Sequence, residues 1–311
     1  MFYYLELHNH TDESDGSLSP RALLDFMKDH SVHGFAVTDH NTTSAHRKLK
    51  RLLPEGKSAP SCIYGLEYTT YYGHVLCFFQ NEYLSWETLN PGKPEPFFQK
   101  LRSLGGIVGI AHPFSADAPL TNGCRFHMNI TDYNVIDFIE IINNSEPMLP
   151  VNNSAVSWWE SLVLQGYHIA MTTGLDLHQP VCLCDTYSTF IKNKPGVTLT
   201  DSFRDAMQAG QTYISRGPIL ELCLTPDSKS IQLHLTDSPR QTKTAFSCDK
   251  YYITLTSNRG TLTVPWDFRV PYILPLEKLS ASSVIIGKLY EGDVAPAHLI
   301  AIAPPLFLPQ M

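Results

Sequence analysis

The sequence predicts an α/β protein whose parallel strands are covered by helices outside, followed by a small all-β, sandwich-like region. Through the first two thirds of the chain, short apolar runs alternate with segments whose apolar residues recur at helical spacing, as strand–helix units do. Five of those runs deliver a histidine, aspartate or glutamate at or near their ends, and strand ends are where α/β barrels carry their active sites. From Arg216-Gly217-Pro218 onward the texture changes to alternating or β-branched runs parted by turn residues, with no convincing helix. The expected division is 1–217 and 218–311.

Each element has its own local reason. Phe2-Tyr3-Tyr4-Leu5 reads as a short buried strand that runs into Leu7–Gly16, where His8 and His10 alternate onto one side of an extended segment. Asp15 follows after the chain has turned. Ser19-Pro20 starts a helix, with serine as N-cap and proline at the first helical position, and Ala22, Leu23, Phe26 and Met27 give it an apolar face. His30 and His33 near its end read as structural, since a cation suits the helix dipole there. Gly34–Val37 is a strand ending in Thr38-Asp39-His40-Asn41, and Thr43-Ser44 opens a basic, solvated helix. Ser61–Tyr68 carries Glu67, and Gly73-His74 heads the next apolar run. A helix near Phe97–Leu104 leads to the strand Ile107–Ile110 and then Ala111-His112-Pro113.

A loop holding Cys124, Arg125 and His127 precedes Val135–Ile142, an apolar strand interrupted by Asp137 and Glu140 and ending in Asn143-Asn144. The helix Ala155–Leu164 feeds the strand Tyr167–Met171, then Gly174-Leu175-Asp176-Leu177-His178. A helix over Asp201–Ala209 and the run Thr212-Tyr213-Ile214 complete the first region. The β-rich region contributes Ile219–Leu224, Ile231–Leu235, Tyr251–Leu255, Ser283–Leu289 and Leu299–Ala303. Its His234 and His298 lack companions at useful spacing and read as structural.

Composition narrows the function classes. A net charge of −7 argues against a binder of long nucleic acid, although a small anionic substrate stays open because bound cations reverse the local sign of a site. The seven cysteines are odd in number and form no C-x-x-C pair, which points to free thiols in a reducing compartment. No secretory leader and no membrane-length apolar run is evident, so a cytoplasmic location is expected.

The collected candidates are His8, His10, Asp15, His40, Glu67, His74, His112, Asp176 and His178. Imidazoles and carboxylates suit zinc, iron or manganese, and nine ligands exceed what one ion takes, so two or three divalent ions are expected. Glu67 can bridge, one oxygen to each of two ions. Asp39 cannot easily point with His40 and is expected to hydrogen-bond an imidazole from behind. Arg216, and less strongly Arg125 and His127, could grip a phosphate by charge-assisted hydrogen bonds. Glu140 and Asn143 sit at a strand end, open to a supporting, substrate-binding or structural role.

In order and spacing, H-x-H-T with S-D-G, then A-V-T-D-H-N, a strand glutamate before G-H-V-L, A-H-P and G-x-D-x-H resemble the polymerase and histidinol phosphatase (PHP) superfamily over residues 4–217. The short gap from Glu67 to His74 and the R-G-P ending before a β-region resemble its carbaryl-hydrolase-like branch. The resemblance implies a distorted (β/α)7 barrel. His8, His10, Glu67 and Asp176 would hold a first metal, and Asp15, His40 and His178 another. Glu67 would bridge to a third with His112 and His74. Leu175 departs from the small polar residue usual in the last motif, leaving both ligands intact.

Such a site implies a phosphoesterase. Two ions about 3.5–4 Å apart clamp a phosphoryl group and bring a bound water toward ionisation, and a metal-bound hydroxide attacks a small phosphate mono- or diester. Glu67, Asp176 and His178 stand nearest that chemistry. The alternatives are an amide or carbamate hydrolase using the same hydroxide and a non-catalytic metal-binding module. A nuclease acting on long nucleic acid and a membrane partner are not expected.

Overall fold

A computed structural model describes residues 1–53, 60–116, 124–144, 149–240, 250–267, 272–279 and 283–308. Seven strands make the first unit: β1 (Phe2–Glu6), β2 (Gly34–Val37), β3 (Ser61–Thr70), β4 (Gly73–Phe78), β5 (Ile107–Ile110), β6 (Phe138–Asn143) and β7 (Ala170–Gly174). β1, β2 and β3 pair in parallel, as do β5, β6 and β7. β4 runs antiparallel between β3 and β5. The reason is local: only Tyr71 and Tyr72 separate β3 from β4, Gly73 takes the left-handed φ of +127°, and a link that short cannot make a parallel crossover. The ring closes where Asn9 bridges Leu177, with His10 N–H donating to the Leu177 carbonyl (3.0 Å). The result is the distorted seven-stranded barrel expected.

Helices α1 (Pro20–Asp29), α2 (Ser44–Leu52), α3 (Glu95–Ser103) and α4 (Pro150–Leu164) cover its outside. Ser19 Oγ accepts from Ala22 N–H (3.2 Å), capping α1 as the Ser-Pro pair predicts. Leu23, Met27 and Leu49 bury against Phe35 and Val37, while Phe98, Leu101 and Trp159 bury against Val108, Ile139 and Ile141. α4 starts five residues earlier than its apolar spacing suggests because Pro150 occupies its first turn.

The fifth helix, α5 (Leu199–Gln208), lies across the amino end of the barrel. Leu199 meets Gly34 at the start of β2, and Arg204 donates to the Gly105 carbonyl just before β5 (2.9 Å). Phe203 is fully buried with Phe78, Phe138 and Leu76, filling that end. One end is thus plugged with aromatics, and the carboxyl end is left for polar groups.

β8 (Ser188–Lys192) and β9 (Tyr213–Ser215) extend the sheet antiparallel from β1. Sequence pattern misses β8 because its first two residues are polar; they are buried and bonded, Ser188 to Glu6 (2.9 Å) and Thr189 to Thr173 N–H (2.9 Å). The strand expected at Tyr167–Met171 is displaced to Ala170–Gly174, since Thr172 and Thr173 are likewise buried.

The remaining strands are β10 (Ile219–Leu224), β11 (Ser230–Thr236), β12 (Tyr251–Ser257), β13 (Gly260–Trp266), β14 (Tyr272–Pro275), β15 (Val284–Glu291), β16 (Leu299–Ile302) and β17 (Leu306–Phe307). β10-β11-β14 faces β13-β12-β15-β16 across a core of Leu220, Leu233, Ile253, Leu255, Ile285 and Leu289, making the antiparallel sandwich. β16 pairs with β9, so one continuous sheet runs from barrel to sandwich. Arg240, buried, bonds the Thr186 carbonyl, Thr186 Oγ1 (3.1 Å) and Ser188 Oγ (3.2 Å), fastening the sandwich behind β1. Among the described residues no helix is long and apolar enough to cross a membrane.

Candidate metal centre

All nine expected ligands converge at the carboxyl end of the barrel. His8, His10 and Glu67 are completely buried, whereas the side chains of Asp15 and His178 are 55% and 38% exposed. Three groups emerge whose ligand atoms lie within 4.8 Å of one another: His8, His10, Glu67 and Asp176; His10, Asp15, His40 and His178; and His40, Glu67 and His74. His112 joins the last through its Nε2, 3.1 Å from Glu67 Oε1. The turns that aim these residues are strained: His112 (φ 25°) and Asp176 (φ 50°) occupy left-handed backbone without being glycine, at a cost of order 1 kcal/mol each.

The first group fits a divalent cation on its own chemistry. His8 Nε2, His10 Nε2, Glu67 Oε2 and Asp176 Oδ1 are buried and make no hydrogen bond within the protein. Buried polar atoms are ordinarily satisfied, and leaving one bare costs about 1–3 kcal/mol. Four bare lone-pair atoms from two imidazoles and two carboxylates, facing one point, form a coordination shell for zinc, manganese or iron. Neighbours prepare two of the histidines. His8 Nδ1–H donates to Glu140 Oε1 (2.9 Å) and His178 Nδ1–H to the Asp176 carbonyl (2.8 Å), which leaves each Nε2 with a free lone pair.

Charge is concentrated to match. Burial would raise the Glu67 carboxyl, yet His8, His74, His112 and His40 around it hold it far below the ordinary carboxylate range. Burial opposes Asp176 in the same way and loses to His8 and His10, so it too stays ionised. Burial pulls His112 down, but Glu67 and Asp176 outweigh it and carry its pKa up to about 9. His10 goes the other way, lowered by burial.

No family model matches the chain. It is 26% identical over 163 residues to an uncharacterised protein of Methanocaldococcus jannaschii, covering 49% of this chain and 88% of the relative. A shorter stretch of 65 residues is 37% identical to the 5'-3' exoribonuclease Rnm of Escherichia coli, covering 21% of this chain and 22% of that one. Among solved structures, a two-domain Bacteroides vulgatus protein containing a predicted PHP-like metal-dependent phosphoesterase superposes with a TM-score of 0.57 at 14% identity. It covers 98% of this chain and 95% of its own. The fold is PHP-like.

The PHP-like barrel also places the remaining expected residues. Asp39 does not meet an imidazole: its Oδ1 accepts from Thr11 N–H (2.6 Å) and Ser14 O–H (2.9 Å), and its Oδ2 from Thr11 O–H (2.8 Å). It therefore shapes the loop that presents Asp15. Asn143, expected at the substrate, donates its amide to Glu140 (2.9 Å) and is buried. Arg216 lies past the end of β9 and spends its guanidinium on the Ala297 carbonyl (3.4 Å) and the Tyr187 ring (5.7 Å). Arg125 and His127 are exposed, on a loop tied to Pro113 by Phe126 N–H (3.0 Å) and to Tyr72 by His127 N–H (2.8 Å). The Arg125 guanidinium lies 5.8 Å from the centre of the Phe114 ring.

Two supporting residues were not singled out from sequence. Thr69 Oγ1 sits 2.5 Å from His40 Nδ1, and its place two residues after Glu67 on the same strand face is a signal that could have found it. Asn152, on α4, exchanges hydrogen bonds with the Asn143 backbone (3.0 and 3.1 Å), and nothing in its local sequence marks it. In the sandwich, His234 pairs with Glu221 (3.1 Å) and His298 with Asp293 (2.6 Å).

Proposed function

We propose that the chain is a metal-dependent phosphoesterase acting on a small phosphate mono- or diester, with residues 1–217 as the catalytic unit and 218–311 as a β-rich companion. The observation that carries the reading is the set of four bare, buried ligand atoms of His8, His10, Glu67 and Asp176. They would hold one ion; Asp15, His40 and His178 a second; Glu67 with His74 and His112 a third. Divalent ions held there would supply Lewis acidity and a water of lowered pKa.

The chain's own groups do the rest. Burial falls from His8 and Glu67 outward to Asp15 and His178, so substrate approaches from the Asp15 side. Asp39 keeps that loop in register, and Thr69 fixes the His40 ring. Glu67 keeps His74 and His112 turned inward through its Oε1 (2.8 and 3.1 Å). Arg125 and His127 are exposed on the loop tied to Pro113 and Tyr72 and would supply the donors for a phosphate's outer oxygens.

The short match to the exoribonuclease favours a phosphodiester over a carbonyl centre. The thiols of Cys62, Cys77 and Cys223 suit a cytoplasmic enzyme. The test is hydrolysis of nucleotide, sugar-phosphate and carbamate substrates with zinc, manganese or iron, using wild type and His10→Ala. Phosphate-ester turnover lost in His10→Ala with the fold retained is expected; undiminished turnover in that variant sinks the assignment.

A further inference from the structure

Glu140 is a buried carboxylate outside the nine ligands, and it is used completely. Its Oε1 accepts from His8 Nδ1–H (2.9 Å), while its Oε2 accepts from the His112 backbone N–H (3.0 Å) and from the Asn143 side-chain amide (2.9 Å). The geometry points to Glu140 as the positioning residue of the centre, fixing at once the imidazole of His8 in the first group and the left-handed turn that delivers His112 to the third. This inference rests on the metal-centre reading above and goes beyond it by naming what holds two groups in mutual register.

Three features of the backbone exist around this carboxylate. Residues three apart on a regular strand point to opposite faces, yet Glu140 and Asn143 meet. The register of β6 against β7 slips between Glu140 and Ile142, and one bulged residue brings the two side chains to the same face. Asn143 is itself held by Asn152 at the start of α4, so the position of Glu140 is referred to a packed helix. Opposite, a Cβ on Gly174 would lie 2.1 Å from Glu140 Oε1 and 2.3 Å from His8 Cβ. The glycine that opens Gly174-Leu175-Asp176-Leu177-His178 is the gap through which Glu140 reaches His8.

The chemistry of the three donors makes the role testable. Glutamine is isosteric but carries one acceptor oxygen. Turned toward His112 N–H and Asn143, it would present an N–H to His8 Nδ1. That nitrogen would then have to accept, and the ring proton would move to Nε2, which removes the lone pair facing the first group. Turned the other way, it sets an N–H against two donors.

Glu140→Gln, Asn143→Ala and wild type are compared by zinc binding in competition with a chromophoric chelator, and by long-range 1H–15N spectra of the histidine rings in the zinc-loaded proteins. Wild type should show His8 protonated at Nδ1 with zinc on Nε2. Glu140→Gln should bind roughly 10–100-fold more weakly at the first and third groups. The Asp15, His40 and His178 group should keep its affinity. Asn143→Ala, a milder change that leaves two of the three bonds, should lose severalfold at the same groups and serves if Glu140→Gln does not fold.

Uniform weakening of all groups, or wild-type affinities with an unchanged His8 pattern, overturns the positioning role while leaving the metal centre standing. Wild-type protein that takes up no zinc overturns the metal-centre reading and this inference with it.

Discussion

Raising the pH should unfold the metal-free protein more easily, and His112 sets the scale. Its imidazole is buried, Nε2 is 3.1 Å from Glu67 Oε1, and its pKa is carried from 6.5 to about 9. A base whose folded pKa exceeds its unfolded value stabilises the fold fully below about pH 6.5. That contribution is lost as pH rises through about 9. The interval corresponds to about 3 kcal/mol, a large share of the ~5–15 kcal/mol that holds a domain together. The melting temperature should fall by roughly 6 °C or more across this window. His8 and His40, also raised, act in the same direction, and His10, lowered, has no effect above pH 6.5. Thermal melts in chelator from pH 6.5 to 9 measure the effect, with His112→Asn as the comparison, whose slope should be shallower. Zinc-loaded protein should behave oppositely, because ligation requires neutral imidazoles and strengthens as protons leave. A metal-free melting temperature that stays flat or rises, or a His112→Asn slope equal to wild type, refutes the argument.

Three further outcomes are expected. Metal at a hundredfold excess over its dissociation constant should raise stability by about 2.7 kcal/mol per independent site, and chelator should reverse the gain, read by calorimetry. Asp39→Ala frees Thr11 and Ser14 and should weaken binding at the Asp15, His40 and His178 group about tenfold or more, measured by zinc titration, with little change at the His8 group. Arg240→Met removes charged hydrogen bonds to Thr186 and Ser188 and should cost about 2 kcal/mol or more in urea unfolding. It should also push the Glu6 carboxyl above the value of about 7 to which burial, opposed by Arg240, already raises it.

The cluster was legible because its ligands fall at strand ends, and strand ends in a barrel share one face. His8 and His10 alternate just past β1, and Asp176 and His178 repeat that spacing after β7. The supporting residues were less legible. Asp39 was expected behind an imidazole, but the chain reverses at Thr11–Gly16 and brings the Thr11 N–H and the Thr11 and Ser14 hydroxyls to it instead. Glu140 stood out as a charge at a strand end open to a supporting, substrate-binding or structural role, and its three partners come from just past β1, just past β5 and the far side of a bulge. Arg216 matches a phosphate-gripping pattern, and the pairing of β16 with β9 brings the Ala297 carbonyl to one of its donors.

Sequence alone therefore determined the alternation of strands and helices, the change to β structure after residue 217 and the nine side chains that meet. The first two follow from residue type at a local period of two or 3.6, and the third from ligand-type side chains at or near strand ends. Tertiary structure decided which groups share ligands, which carboxylate fixes which ring, and the continuity of barrel and sandwich through one sheet. Those depend on hydrogen bonds between residues as far apart as His8 and Glu140, on a bulge in β6 and on a missing Cβ at Gly174, where distance along the chain carries no information about distance in space.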